Sequence, residues 1–220
     1  MRPSLFLAAR RAALALLLGA AGAVAAPTVG GAQSTAAAPA AHAKDGPAKD
    51  GPAEGGALVI VVRHAEKAAV PGDDPPLSEA GAARAAALAR VLRDAPVRAV
   101  IVTPRRRTGE TAAGVVAARG LTPVVVPFAA NVADHARAVA DAVRAAGGGT
   151  VLVVGHSNTV PAILAALGAP RLPDLCDAAY ANLFVVRPGT TAAERATLVR
   201  ASYGAADPAD ADARPGMQAR

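Results

Sequence analysis

Val59-Ile-Val-Val-Arg-His-Ala-Glu66 and Val151-Leu-Val-Val-Gly-His-Ser-Asn-Thr159 are two versions of one local pattern. In each, an unbroken apolar run of strand length turns polar at a histidine, His64 or His156. Runs that are apolar at every residue suit strands covered on both faces, as in a parallel sheet between helices. The carboxyl ends of such strands are where open α/β sheets build their sites. Two imidazoles delivered there, one directly preceded by Arg63, point to chemistry on an anion.

Around these runs, strands are expected at 57–63, 99–102, 124–126, 150–154, 182–187 and 196–202. Helices are expected at 78–93, 106–119, 134–146 and 159–167. Ser78 is a natural N-cap, with Glu79 in the first turn. Ala85, Leu88, Val91 and Leu92 make one face of the first helix. Gly120 and Gly147 stand where helices close. Alternating strands and helices argue for right-handed crossovers. The fold class is therefore α/β, a three-layer α/β/α sandwich with a mostly parallel sheet. The last two strands have no helix between them and read as a hairpin with an antiparallel edge.

Residues 1–26 read as an export signal. Arg2, Arg10 and Arg11 precede a short apolar stretch from Ala12 to Ala26, and Ala23-Val24-Ala25 offers a cleavage site. Residues 27–56 are rich in Ala, Gly and Pro, carry the tandem Lys44-Asp-Gly-Pro-Ala and Lys49-Asp-Gly-Pro-Ala, and read as a disordered linker. The folded domain spans 57–203, and 204–220 reads as a flexible tail. The expected location is the periplasm or outside the cell, with no membrane span after cleavage.

The formal charge of +6 comes from 23 Lys and Arg against 17 Asp and Glu. Three of the arginines lie in the leader, so the remainder carries 20 against 17, or +3. That mild charge and the scarcity of aromatics argue against nucleic acid as a partner. Cys176 is the only cysteine, so neither an intramolecular disulfide nor a cysteine-based metal site can form.

Three further stretches bear on the two histidines. Thr103-Pro-Arg-Arg-Arg-Thr-Gly-Glu-Thr-Ala112 follows the second strand and opens a helix. A guanidinium there can reach over the sheet edge and bind phosphate bidentately, though three adjacent arginines cannot all point one way. Gly155 permits a close turn before His156, and Asn158 or Thr159 can cap the helix that follows. Pro76-Leu-Ser-Glu-Ala-Gly81 is by itself a turn and a cap.

Taken in order, Arg63-His64-Ala65, Pro76 to Gly81, Thr103 to Ala112 and Gly155-His156 resemble the motifs of the histidine phosphatase superfamily. This is the phosphoglycerate mutase-like group, and the likeness is greatest to its small exported bacterial members. The resemblance runs from about Val59 to Leu167. It implies a phosphatase of the histidine acid type, hydrolysing a phosphomonoester or a phosphohistidine. His64 would be the nucleophile and carry the phosphoryl group. Arg63, Arg107 and His156 would bind the phosphoryl oxygens, with no metal or cofactor. The substrate would be a phosphorylated small molecule or a phosphoprotein. A non-catalytic phosphoryl-binding protein on the same fold is the alternative. Ala65 stands where the family usually has glycine. The family's acidic residue between the arginine motif and the second histidine has no clear counterpart. Asp134 is the first candidate for the general acid, Glu66 the second, and His135 lies beside Asp134.

Overall fold

The computed structural model describes residues 56–189 and 194–208. The leader, nearly all of the linker and the end of the tail lie outside them. Ten elements follow in chain order: β1 (Leu58–Arg63), α1 (Glu79–Val91), β2 (Val97–Val102), α2 (Arg106–Arg119), β3 (Val124–Val125), α3 (Val132–Ala145), β4 (Thr150–Gly155), α4 (Thr159–Ala166), β5 (Asn182–Arg187) and β6 (Thr197–Ser202).

The strands form one sheet in the order β3-β2-β4-β1-β5-β6. The first four are mutually parallel. β5 runs antiparallel to β1, and β6 antiparallel to β5. The reversal thus begins one strand further in than an antiparallel edge alone would require. A hairpin forces β6 to oppose β5, and β5 opposes β1 because the segment after α4 returns the chain to the Arg63 end of β1, so β5 starts where β1 finishes.

β1 shows why its run is apolar throughout. Val59 and Val61 face a core shared with Val139 and Val143 of α3 and Ile163 and Leu164 of α4. Ile60 and Val62 face a second core with Leu88 of α1 and Val115 of α2. Each such fully buried Val or Leu contributes roughly 1.5–3 kcal/mol relative to exposure. Val91, assigned by pattern to the buried face of α1, is 56% exposed, because that helix ends at it and the chain turns away.

Ser78 caps α1, its Oγ accepting from Gly81 N at 3.1 Å. Gly120 closes α2 in the left-handed conformation, and Gly147 follows the Ala146 cap of α3. α3 starts two residues earlier than expected, because Asn131 rather than Asp134 caps it. Residues 204–208 are tied to the domain by Arg84 and by the backbone of 180–181.

Candidate active site

β1 and β4 are neighbours in parallel register with Arg63 opposite Gly155. The two histidines therefore leave the sheet side by side, and His64 N donates to Gly155 O at 2.9 Å. Their rings sit edge to face, 5.2 Å between centroids. Gly155 is tightly enclosed, since a Cβ there would lie 3.0 Å from Thr159 Oγ1 and 3.2 Å from Val160 Cγ2, and both side chains would have to give way slightly. Thr159 Oγ1 in turn accepts from His156 N at 2.9 Å, so it pins the loop that Asn158's side chain leaves uncapped.

The hydrogen bonds fix both tautomers. His64 Nδ1 is 2.8 Å from Ala65 O. A carbonyl only accepts, so Nδ1 carries the proton and the Nε2 lone pair is free to attack. His156 Nε2 is 3.0 Å from Thr103 Oγ1, which is 3.1 Å from Thr108 Oγ1. The Thr108 hydroxyl donates to Arg105 O at 2.7 Å. Read back from that carbonyl, each hydroxyl donates onward, so His156 Nε2 is a donor and its Nδ1 accepts. Nδ1 faces Arg107 at 3.5 Å. Burial pushes His64 down to about 3, helped by Arg63, Arg107 and Lys67 against the opposing bond to Ala65. Burial likewise holds His156 at about 3, helped by His64 and Arg107. Both imidazoles are neutral near pH 7.

Arg63 is 4% exposed. It donates through one nitrogen to Cys176 O at 2.8 Å, Asp177 O at 3.1 Å and Ala179 O at 3.3 Å, and its guanidinium carbon lies 4.0 Å from the centroid of the Tyr180 ring. The three adjacent arginines separate. Arg107 turns to the histidines, with Asp74 at 3.7 Å. Arg105 lies over Phe128 at 5.8 Å. Arg106 points outward to Glu110, its i+4 neighbour. Nε of Arg63 and Nε of Arg107 are buried without a partner. Burial lowers the pKa of both groups, so each is a cation whose charge is incompletely answered. Two such guanidiniums and two neutral imidazoles make a cradle for a tetrahedral oxyanion.

The other sequence motifs support this cradle. Thr111 Oγ1 accepts from Ala65 N at 2.9 Å and donates to Arg107 O at 2.6 Å, joining the histidine loop to the arginine helix. Glu110 accepts from Leu77 N at 2.7 Å. Gly81 lets α1 press against the histidine loop, since a Cβ would fall 2.1 Å from Glu66 O.

The carboxylates proposed from sequence lie elsewhere. Asp134 is absent from the cleft wall, its carboxylate taken by Asn131 Nδ2 and by Arg137. Glu66 is bound by Arg84 through contacts of 2.7–3.0 Å. The pairing of Asp134 follows from its place in the first turn of α3, one turn before Arg137. The carboxylates on the cleft wall are Asp174 and Asp177, and Asp177 reaches within 3.6 Å of Arg63. Sequence pattern gives no sign of them or of Tyr180, because they stand on the irregular segment between α4 and β5. His135 is buried against Phe128, with Nδ1 donating to Pro127 O at 3.0 Å. The cleft holds about 1010 Å³, and Lys67, Arg105 and Arg171 add three cations to its wall. Among the described residues, no group of three His, Cys, Asp or Glu is placed to hold a metal ion. No helix among them is long and apolar enough to cross a membrane.

The fold has counterparts among solved structures. The chain resembles the protein histidine phosphatase SixA, solved with tungstate, at 20% identity and a TM-score of 0.51, over 66% of this chain and 96% of that one. It also resembles mycobacterial hydrolase 2 at 18% identity and a TM-score of 0.51, over 68% of this chain and 92% of that one. The fold is that of the phosphoglycerate mutase-like histidine phosphatases. Residues 59–133 match the family model described as histidine phosphatase superfamily (branch 1). That match includes Arg63, His64 and Arg107 and ends before His156. Family model and fold together support the superfamily. No curated protein matches the chain.

Proposed function

We propose that the protein is a phosphatase that works through a phosphohistidine on His64. The observation that carries this is the free Nε2 of His64, beside the guanidiniums of buried Arg63 and half-buried Arg107, which each keep a buried N–H unspent. In the first step Nε2 forms a bond to phosphorus as the bond to the leaving group breaks. Arg63, Arg107 and His156 hold the equatorial oxygens, where charge accumulates. Water then attacks the phosphohistidine and releases inorganic phosphate and His64. Depressed basicity keeps His64 unprotonated, so no separate base is needed to activate it. The nucleophile and the cradle are residues of the chain itself, so we propose turnover without a metal.

The substrate is a phosphomonoester or a phosphohistidine. A cleft of about 1010 Å³ is at the upper end for a small-molecule site. It has room for a leaving group much larger than the phosphoryl unit. The tungstate of the SixA structure is a tetrahedral oxyanion of the kind this cradle suits. We place the reaction outside the cytoplasm on the strength of residues 1–26.

The test uses an aryl phosphate with excess EDTA. Turnover should persist in the chelator and vanish in His64→Ala, and acid quenching of the wild type should trap acid-labile phosphate. Equal rates in the two proteins would refute the reading. Phosphate binding by the wild type without turnover would favour a phosphoryl-binding protein instead.

A further inference from the structure

We propose that Asp207, near the end of the described chain, is a positioning residue for the Arg63 side of the cradle. The proposal rests on the reading of that cradle as an oxyanion site. Asp207 lies outside the pattern of alternating strands and helices, yet its carboxylate is largely buried, 17% exposed. Oδ1 accepts from Tyr180 N at 2.8 Å, and both oxygens accept from Ala181 N at 2.9 Å. These two N–H groups sit at the far end of the segment that holds Arg63. That segment supplies the three carbonyls bound by Arg63 and the Tyr180 ring stacked on it.

The carboxylate is itself anchored. Arg84, 4% exposed, donates to Tyr203 O at 3.0 Å and Ala205 O at 2.9 Å, and reaches Asp207 at 3.9 Å. Its other nitrogens hold Glu66, two residues after His64. Tyr203 N donates to Ala181 O at 2.9 Å. Arg84 thus ties the His64 loop to residues 203–207, and Asp207 ties those residues to the loop over Arg63. Both halves of the cradle are referred to one buried guanidinium. A carboxylate accepting from main-chain N–H groups makes a strong, directional link. Nothing else in the described chain satisfies both N–H groups at once.

The experiment compares full-length wild type with Asp207→Ala, Asp207→Asn and Val143→Ala, the last a core truncation far from Asp207 in sequence. Tyr180 and Tyr203 are the only tyrosines and there is no tryptophan, so tyrosine fluorescence reports inorganic phosphate binding. Urea unfolding gives each variant's stability. Asp207→Ala should weaken phosphate binding about tenfold, the scale of one charge-assisted hydrogen bond. The kcat/KM for an aryl phosphate should fall by the same factor. Asp207→Asn retains an acceptor oxygen and should lose less. Val143→Ala should lose stability but keep phosphate affinity. Wild-type phosphate affinity in Asp207→Ala overturns the proposal, as does an equal loss in Val143→Ala. Should Asp207→Ala fail to fold, Asp207→Asn decides, with faster amide exchange at Tyr180 and Ala181 expected alongside weaker binding. Because binding is read directly, a wild type that binds phosphate without turning over refutes the proposed activity and leaves this comparison intact.

Discussion

Acid should destabilise this protein well before its carboxylates are protonated. His64 and His156 are each held at about 3 in the folded chain, chiefly by burial. An unfolded histidine titrates near 6.5. Below that pH the unfolded chain binds protons that the folded chain refuses, so stability must drop as pH falls from about 6.5 toward 3. Above the unfolded value neither state binds the proton, and the curve is flat. Within the window each histidine contributes a slope of about 1.4 kcal/mol per pH unit. Lowering the pH from 7.5 to 5 therefore costs roughly 2 kcal/mol per histidine and about 4 kcal/mol for the pair. Whole domains have only about 5–15 kcal/mol. Glu66 adds a loss of the same sign at lower pH. Burial pushes its carboxyl up, but the Arg84 bonds pull it further down, so its contribution disappears only below the ordinary carboxylate range. The interval from pH 5 to 7.5 isolates the imidazoles.

Urea unfolding at pH 5, 6 and 7.5 measures the effect on wild type, His64→Asn and His156→Asn. The asparagine at 64 can keep the bond to Ala65 O while losing the titratable group. Each variant should show about half the wild-type acid loss. Saturating phosphate should flatten the wild-type slope, since an anion in the cradle favours the protonated ring. A wild type equally stable at pH 5 and 7.5 would refute the reasoning. So would variants whose slopes match it, because the protons would then be going elsewhere.

Other outcomes follow from the same geometry. Gly81→Ala should destabilise by about 1–3 kcal/mol in thermal melts despite alanine's helix propensity, since its methyl meets the rigid carbonyl of Glu66 at 2.1 Å; an unchanged Tm would show that α1 can shift. Lys67→Ala, Arg105→Ala and Arg171→Ala should each raise KM severalfold for a phosphomonoester bearing a second anionic group. They should change KM little for an uncharged aryl ester, and equal effects on both substrates would count against a recognition role. Asp177→Asn should slow hydrolysis of an alkyl phosphate more than that of a nitrophenyl phosphate if its carboxyl protonates the leaving group. Equal slowing would assign Asp177 to holding Arg63 instead.

The extent to which this site could be read from sequence follows the range of the forces that build it. His64 and His156 were legible because a strand buried on both faces must be apolar throughout, and the break in that run marks the sheet edge. Arg107 was legible only in part: local pattern places three arginines at a helix start, while their division among cleft, rim and solvent depends on Glu110, Phe128 and Asp74. Asp134 stands where local pattern alone is ambiguous, since the first turn of a helix attracts acids whether or not a substrate is near. Asp177, Tyr180 and Asp207 leave no periodic trace, because they act from irregular chain that only the finished sheet brings to Arg63.

The same contrast bears on chemistry. The regular elements supply His64, the proposed nucleophile, and Arg63 and Arg107, the proposed phosphate ligands, residues whose orientation a strand end or a helix start can fix. Other parts of the cleft wall, Phe128, Asp174, Asp177 and Tyr180, stand on the segments between α4 and β5 and between β3 and α3. These segments can change without disturbing the sheet. Substrate preference should therefore follow residues 127–131 and 171–174, which lie outside the contacts to Arg63, and an exchange of those segments should alter which phosphorylated compound is cleaved while the proposed phosphohistidine on His64 still forms.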